Sequence, residues 1–293
     1  MISVVVPVYN EEDVAVSTLN EVVAALDGFL EYEIILVNDG STDKTLERVQ
    51  ASDIKNLSII NHIENLGYGK SLYDGILAAK YDCIAIIDGD GSYPAHSIRE
   101  LYSYYPQYDM VVGARKGKEY NKGIFKRFAR YLFKYLAEYA SGRKVPDINS
   151  GLRVFKKDIV LNFQDSLCTG FSFTTTLTLI FFLNHYFVRY VPIDYFQRKG
   201  ESKVKPFRDT LRAGQIILEA ILYYNPIKLF LLVATCNALA GVFLLIISNF
   251  FLIFPGLSLI GGLLVASFVP LFCMGMLADQ LKKIYKLKRG DNP

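Results

Sequence analysis

Cysteine and histidine are scarce in this sequence, and their spacing excludes the usual zinc and disulfide sites. The chain has four cysteines and three histidines, with no Cys-x-x-Cys pair and no ligand spacing between histidines. We therefore expect reduced thiols, and neither a zinc site nor a disulfide framework. A net charge of only +3 argues against a nucleic-acid partner. Residues 1–13 have no basic region and soon become acidic, so we expect no signal peptide.

Charged residues are absent from residues 229–278, although the preceding part of the chain is well charged. A membrane-spanning helix needs roughly 20 apolar residues, so the segment predicts two transmembrane helices within 226–281, joined by a turn at Pro255-Gly256. Basic residues flank both sides, and the positive-inside rule then places the preceding domain and both chain ends in the cytoplasm. This predicts an integral membrane protein of the bacterial inner-membrane type. The remaining parts are a cytoplasmic domain (1–206), an amphipathic juxtamembrane segment (207–225) and a basic tail (282–293).

Short apolar segments of strand length alternate with helix-compatible stretches in the first half of the chain. The predicted strands are residues 2–6, 33–37, 57–61, 83–87 and 110–113, with helices such as 14–26 and 71–80 between them. This alternation predicts an α/β domain with a mostly parallel sheet flanked by helices. Ligands of such sheets bind at the carboxyl ends of the strands. Polar clusters follow the strands at 9–11, 38–41, 65–67 and 88–90, so one crevice is expected to collect them.

Residues 122–141 are predicted to form an amphipathic helix with an aromatic face and a basic face. Such a helix is typical of one that lies in the interface of a bilayer. A surface helix packed on the sheet has the same pattern, and both interpretations stay open.

Asp88-Gly89-Asp90 directly follows an apolar segment. On an extended backbone, residues two apart point the same way, so both carboxylates can face one site. Two carboxylates suit a hard divalent cation that also binds water and substrate phosphate. Most isolated Asp-x-Asp pairs are solvated loop acids, but the position at a strand end favours a metal site.

Asp39 lies just past a predicted strand, where it could accept hydrogen bonds from a nucleotide base. Ser41 or Thr42 is expected to cap the following helix. The segment Asn-Leu-Gly-Tyr-Gly-Lys-Ser at 65–71 lacks the glycine spacing of dinucleotide-binding and P-loop motifs. Its glycines still permit close backbone approach, and Lys70 is a candidate positive charge for the donor site.

Residues 197–203 contain a glycine loop with Arg198, Ser202 and Lys203. A guanidinium, a hydroxyl and an ammonium group of this kind can close over a diphosphate. The alternative is a basic linker beside anionic lipid headgroups.

In this order, VVVPVYNEED, VNDGSTD, NLGYGKS and DGDG resemble the motifs of family 2 glycosyltransferases with the GT-A fold. Further along, Gly113-Ala114-Arg115, Asp147 with Ser150-Gly151-Leu152-Arg153, and RKGESK are similar to the polyprenyl-phosphate glycosyltransferases. That group contains dolichol-phosphate mannose synthase, and the predicted hairpin also suits its bacterial lipid-linked glucosyltransferase branch. The resemblance extends to about residue 210 and implies a GT-A nucleotide-sugar-binding domain at 1–206.

The resemblance also implies a role for each matching residue. The nucleoside of a nucleotide-diphosphate sugar would be bound by Pro7, Tyr9, Glu11 and Asp39. Mg²⁺ or Mn²⁺ would be bound by Asp88 and Asp90, and the catalytic groups would be these two aspartates with Arg198 and Lys203. Ser202 would help to close the loop over the diphosphate. The acceptor lipid phosphate would be received by Arg115 and Arg127, with Arg130 and Arg153 as helpers.

Two departures from the family pattern bear on mechanism. Ser92 stands where many relatives have a metal-site Gln, so its contribution to metal binding is in doubt. Residues 170–175 contain no carboxylate, whereas members that glycosylate sugar hydroxyls use an acidic base in this half. A phosphate acceptor needs little base catalysis because its second pKa is about 6.

The implied function is metal-dependent, inverting transfer of a sugar from a UDP-sugar or GDP-mannose to undecaprenyl or dolichyl phosphate at the cytoplasmic face, with UDP-sugars slightly favoured. A processive polysaccharide synthase is rejected, because the chain has no Trp for the Gln-x-x-Arg-Trp motif and only one predicted hairpin. A transferase acting on a glycolipid or other hydroxyl, and an inactive membrane scaffold, stay open. The expected partners are the nucleotide sugar, the polyprenyl phosphate and the bilayer, without nucleic acid; self-association is left open.

Overall fold

The computed structural model describes residues 1–116, 131, 134–139, 141–163, 173–197, 214–215, 218–219, 221–222, 225–251 and 255–289. The chain divides into two compact units, Met1–Ile216 and Ile217–Pro293.

The first unit is built on one twisted layer of β-strands. In chain order the strands are β1 (Ile2–Val8), β2 (Tyr32–Asn38), β3 (Leu57–Asn61), β4 (Cys83–Ile86), β5 (Met110–Lys116), β6 (Arg153–Lys156) and β7 (Val188–Asp194). Across the described residues they form a seven-stranded sheet of order β3-β2-β1-β4-β6-β5-β7. Strands β1 to β4 are parallel, β6 is antiparallel to β4 and β5, and β7 is parallel to β5. The mostly parallel sheet predicted from the sequence is confirmed.

Helices cover both faces of this sheet. They are α1 (Ala15–Ala25), α2 (Thr45–Gln50), α3 (Tyr68–Ala78), α4 (Ser97–Tyr104), α5 (Lys157–Asn162) and α6 (Phe173–Leu183). Neighbouring residues of β1 point to opposite faces, so Val4 packs in one hydrophobic core with Leu19 of α1, and Val5 packs in the other with Leu72 of α3. Burial on both faces explains why the strands are almost continuously apolar.

Strand β6 is not among the strands that the sequence pattern predicts. It has only four residues and inserts between β4 and β5, with Ile86 paired to Arg153. Because β6 is antiparallel to both neighbours, its first residue lies beside the carboxyl end of β4. The loop before β6 therefore enters the edge at which ligands of α/β sheets bind.

The second unit contains α7 (Pro226–Phe251), α8 (Pro255–Ala266) and α9 (Phe268–Arg289). Two spans, Pro226–Asn249 and Gly256–Ile284, are long and apolar enough to cross a membrane. The second span is interrupted at Ser267, because Pro270 lacks the N–H that would bond to Ala266. Pro255 opens α8 rather than forming the turn itself, a position that suits proline because its missing N–H is not needed there.

Small residues bring the helices of this hairpin into close contact. A Cβ atom built on Gly241 would lie 2.6 Å from the carbonyl oxygen of Gly261, and one built on Gly261 would lie 2.8 Å from that of Gly241. Asn237 Nδ2 also donates to Ser267 Oγ at 3.3 Å. Close backbone approach at glycine is a common way for apolar helices to pack in a bilayer.

Part of the predicted amphipathic helix and most of the juxtamembrane segment lie outside the described residues. Residues 134–139 are helical. Tyr131 and Tyr135 are exposed by 70% and 52%, while Ala137 is buried. The predicted location of this helix in a membrane interface stays a prediction.

Candidate functional site

Two loops at the carboxyl ends of β1 and β2 are joined by hydrogen bonds. The Asn10 backbone N–H donates to Ser41 Oγ at 2.9 Å, and Asn10 Oδ1 accepts from the Thr42 backbone N–H at 2.7 Å. The Glu11 backbone N–H donates to Thr45 Oγ1 at 2.8 Å. Ser41 and Thr42 therefore bind Asn10. Helix α2 begins only at Thr45, with Lys44 at its N-cap position, so the prediction that Ser41 or Thr42 caps this helix is wrong. These hydrogen bonds hold the two predicted nucleoside-binding segments together. The first of these segments starts at Pro7, which is buried on β1.

Asp39 organises the loop that leads into α3. Its Oδ1 accepts from the Leu66 backbone N–H and its Oδ2 from the Gly67 backbone N–H, both at 2.9 Å. The side chain is almost fully buried, with 4% of the residue exposed. Gly40 is required beside it, because a Cβ there would lie 2.5 Å from the backbone of Glu64 and its φ is +68°. Asp39 directly follows β2, as the sequence predicts, but the sequence does not reveal these bonds.

Lys70, predicted to contribute charge to the donor site, forms a 2.6 Å ion pair with Asp74 one helical turn away. Asp74 in turn contacts His62, whose other ring nitrogen contacts Asp39. The sequence does not predict His62 as a site residue, because its two partners are distant in the chain, Asp39 after β2 and Asp74 on α3.

Asp88 and Asp90 lie beyond the end of β4, where the chain leaves the extended conformation and enters a turn at residues 89–90. Strand β4 ends at Ile86, and Gly91 has a φ of +70°. The strand-alternation argument therefore does not apply to these carboxylates. Asp90 is held by its neighbour: its Oδ1 accepts from the Ser92 backbone N–H at 3.0 Å and from Ser92 Oγ at 2.5 Å. Ser92 thus orients one of the two carboxylates that are predicted to bind a metal ion.

Asp88 lies between α3 and the loop before β6. The Tyr68 hydroxyl donates to Asp88 Oδ1 at 2.7 Å. Burial, together with the negative charge of Asp88, raises the pKa of Tyr68 well above its ordinary value, so the hydroxyl remains a donor. On the other side, a Cβ built on Gly151 would lie 2.6 Å from Asp88 Cγ. Glycine at 151 is therefore what allows this loop to approach the carboxylate.

The same loop holds Arg115 through a bidentate ion pair. Arg115 Nε donates to Asp147 Oδ2 at 2.7 Å and its Nη2 donates to Oδ1 at 2.9 Å. Burial alone would raise the pKa of Asp147, but the Arg115 guanidinium and its hydrogen bonds outweigh it and hold that pKa below its usual value. The guanidinium also lies 5.3 Å from the ring centre of Tyr195.

Arg153 is the first residue of β6 and supports the loop before this strand. It has no exposed surface. Its Nε donates to the Ser150 carbonyl at 2.8 Å, its Nη2 to the Ile148 carbonyl at 2.7 Å, and its Nη1 to Thr178 Oγ1 at 2.8 Å. A fully buried guanidinium does not reach a lipid phosphate, so the expected acceptor role of Arg153 is corrected to one of loop support.

The remaining predicted site residues lie outside the described part of the chain. They are Arg127, Arg130, Arg198, Ser202 and Lys203.

The sequence predicts two aspartates, Asp88 and Asp90, as the protein ligands of a metal ion. Within the described ranges, no group of three or more His, Cys, Asp or Glu residues is arranged so that it could hold a metal ion. One or two carboxylates are the protein ligands that Mg²⁺ usually takes when substrate phosphates and water complete its coordination. Asp88 and Asp90 therefore fit a cation shared with a diphosphate.

Residues 3–163 match the family model described as Glycosyl transferase family 2. The undecaprenyl-phosphate 4-deoxy-4-formamido-L-arabinose transferase of Photorhabdus laumondii is 32% identical over 163 residues, covering 54% of this chain and 50% of that protein. The dolichyl-phosphate hexose transferase of Haloferax volcanii is 28% identical over 224 residues, covering 75% of this chain and 94% of that protein. The chain thus spans about half of the first relative and nearly all of the second.

Solved structures with the same fold include glucosyl-3-phosphoglycerate synthase from Mycobacterium tuberculosis, in complex with Mn²⁺, UDP and glucosyl-3-phosphoglycerate. It has a TM-score of 0.60 at 20% identity, covering 75% of this chain and 80% of that one. Residues 1–349 of S. aureus TarS give a TM-score of 0.54 at 19% identity, covering 75% and 65%. At these identities the likeness concerns the fold alone, and it confirms the predicted GT-A architecture.

Proposed function

Because the chain belongs to glycosyl transferase family 2, we propose that it is a membrane-bound inverting glycosyltransferase that moves a sugar from a nucleotide diphosphate to a polyprenyl phosphate. The observation that carries this proposal is the position of Asp88, at the sheet edge where β4 ends and the loop before β6 enters, in a chain with two membrane-length apolar helices. The acceptor class is supported by the two relatives, whose names specify undecaprenyl phosphate and dolichyl phosphate.

The donor site in this proposal lies across the ends of β1, β2 and β4. Pro7, Tyr9, Glu11 and Asp39 bind the nucleoside. The hydrogen bonds between the loops after β1 and β2 keep this site rigid before the donor arrives, which reduces the ordering cost of binding. Ser202 and Lys70 are also assigned to donor binding. Lys70 forms an ion pair with Asp74, so it acts on the donor site through that residue.

Asp88 and Asp90 would hold Mg²⁺ or Mn²⁺ at the diphosphate. When bound, such an ion supplies positive charge that stabilises the departing nucleotide diphosphate. Tyr68 and Ser92 keep the two carboxylates in place by donating hydrogen bonds to them. Arg198 and Lys203 are proposed to add further positive charge as the diphosphate leaves, which is where electrostatic stabilisation is most effective.

The acceptor phosphate is assigned to Arg115, Arg127 and Arg130. Arg115 is held by Asp147, so its guanidinium keeps one orientation. A phosphate monoester is largely ionised near neutral pH, because its second pKa is about 6. Its oxygen can therefore attack the anomeric carbon from the face opposite the leaving group and invert it, without a carboxylate base. The described part of the 170–175 segment, Phe173 to Thr175, indeed contains none.

The hairpin is proposed to anchor the chain in the inner membrane with the catalytic unit and both chain ends in the cytoplasm. This follows the basic residues on both sides of the apolar segment. Anchoring confines the enzyme to the surface that contains its lipid acceptor and so raises the frequency of encounter.

The test is a donor panel with purified full-length chain in detergent. UDP- and GDP-sugars are offered with undecaprenyl phosphate and Mn²⁺, and the lipid product is identified by its mass. We expect one donor to yield a glycosyl phosphate lipid. Asp90→Asn should reduce the rate by at least about 100-fold, while Asp53→Asn, at an exposed position, serves as the matched control.

Three outcomes contradict the proposal. Undiminished transfer by Asp90→Asn, or by the wild type in excess chelator, would show that the reaction does not depend on a metal ion. Transfer to a lipid hydroxyl instead of the phosphate would identify the alternative acceptor class. The absence of product with every donor would support an inactive scaffold.

A further inference from the structure

A row of four ionisable side chains runs from the predicted nucleoside site to the surface of α3. It consists of Asp39, His62, Asp74 and Lys70, in that order. His62 directly follows β3, and its backbone N–H donates to the Asn38 carbonyl at 2.9 Å. Its ring Nδ1 lies 2.9 Å from Asp39 Oδ1 and its Nε2 lies 3.1 Å from Asp74 Oδ2. The His62 side chain is only 8% exposed.

The ring of His62 is fixed from both sides. Each of its nitrogens meets a different carboxylate, so rotation about the side-chain bonds would break both contacts in a buried setting. The other oxygen of Asp74 receives Lys70 Nζ at 2.6 Å, which compensates the charge of Asp74. Acidic and basic groups thus alternate along the row, as an arrangement of partly buried charges requires.

Asp39 has nearly all of its acceptor capacity occupied. An ionised carboxylate offers about four lone-pair directions. Oδ1 accepts from Leu66 and His62, and Oδ2 accepts from Gly67. One direction, on Oδ2, is therefore left for a ligand N–H among the contacts that the structure describes. His62 determines which direction this is, because its bond to Oδ1 prevents the carboxylate from rotating.

We propose that His62 is a positioning residue for the donor nucleobase, acting through Asp39, with Asp74 and Lys70 holding its ring. This inference rests on the proposed function. A carboxylate oxygen aimed at the base favours a ring N–H, which uracil and guanine have next to a carbonyl group. Cytosine and adenine have a lone pair at that ring position, which an acceptor oxygen repels. His62 therefore sharpens the preference for a uridine or guanosine nucleotide.

Two isosteric variants separate the two bonds of His62. In His62→Asn the amide nitrogen occupies the place of Nδ1 and can still donate to Asp39. In His62→Gln the amide nitrogen reaches the place of Nε2, so it keeps the contact with Asp74 and loses the one with Asp39. The dissociation constants of UDP, GDP and CDP are measured by calorimetry on the full chain in detergent with Mn²⁺.

We expect His62→Gln to raise the dissociation constant of UDP or GDP, whichever the wild type binds better, by about tenfold or more. The reason is that a hydrogen bond to a charged group is lost. His62→Asn should stay within about threefold of the wild type. CDP binding should change little in either variant, and the KM for undecaprenyl phosphate should be unaffected. A purely structural role would instead weaken all three nucleotides together.

Equal affinities for UDP or GDP in the two variants, or a loss of CDP binding in parallel, would overturn the inference. If His62→Gln does not fold, Asp74→Asn carries the test: a several-fold weakening of UDP or GDP supports the inference and unchanged binding overturns it. If the variants follow the expected order but no lipid is glycosylated, the acceptor assignment fails and the role of His62 stands. If sugar transfer is intact but His62→Asn and His62→Gln bind the nucleotides with equal affinity, only the proposed role of His62 fails.

Discussion

Replacing Arg153 with Met tests whether the buried guanidinium supports the loop before β6. Methionine has a similar length and stays apolar, but it donates no hydrogen bond. The Ile148 and Ser150 carbonyls would each lose a donor, and so would Thr178. The loop would then be less firmly held where Gly151 meets Asp88.

The expected cost follows from the number of lost bonds. A buried acceptor left without its donor costs about 1–3 kcal/mol, so two carbonyls give about 2–6 kcal/mol. Burial lowers the pKa of Arg153, which means that the charged guanidinium is itself costly to bury, and removing it recovers part of the loss. We therefore expect a net destabilisation of about 2–4 kcal/mol, or a decrease in Tm of about 5–15 °C.

Thermal unfolding in detergent, followed by the intrinsic tyrosine signal, measures this decrease. Arg143→Met is the matched control, since Arg143 is an exposed arginine shortly before the same loop, and it should shift the Tm by much less. Transfer by Arg153→Met below its Tm should be slower, with the KM for undecaprenyl phosphate little changed. An unaltered Tm, or a KM for the lipid that rises while the Tm stays constant, would refute loop support and restore a direct role in acceptor binding.

Three further predictions concern other parts of the molecule. Gly261→Ala should destabilise the hairpin by about 1–3 kcal/mol, whereas Gly262→Ala should not, because a Cβ at 262 meets no atom within 4 Å; equal shifts in the thermal stability of the two variants would contradict this packing. Gly151→Ala should reduce kcat by about 10- to 100-fold, because its Cβ would displace the carboxylate of Asp88, which is proposed to bind the metal ion; a wild-type rate would exclude that contact. Arg115→Gln should lower the Tm at pH 7, and the difference from wild type should shrink towards about pH 4.5.

The sign of the last effect follows from the pKa of Asp147. In the wild type this pKa is below its usual value, so the stabilising contribution is complete above the ordinary pKa and is lost only as the pH falls through the lower folded value. Without the Arg115 guanidinium, burial is opposed only by the backbone N–H groups of residues 115 and 149. The pKa of Asp147 then rises above its wild-type value, and the charged carboxylate carries a desolvation penalty at neutral pH that the guanidinium no longer offsets. Acidification protonates Asp147 and removes that penalty. A Tm difference that is independent of pH would contradict the ion pair.

Local patterns in the sequence determined much of the fold. Strands β1 to β5 are recognisable because each is a short apolar run between polar turns, and the hairpin because a long segment lacks charge. Both features depend on neighbours in the chain, which a single sequence displays directly. The positions of Asp39 and Asp88 at strand ends follow from the same patterns.

The tertiary structure alone decided what these residues contact. Strand β6 pairs with β4 on one side and with β5 on the other, and Arg153 at its start is fully buried. Arg115 meets a carboxylate 32 positions away, and Asp39 meets an imidazole 23 positions away. Hydrogen bonds between such distant residues leave no periodic trace in the sequence, because they depend on how separate elements pack and not on the residues next to each partner.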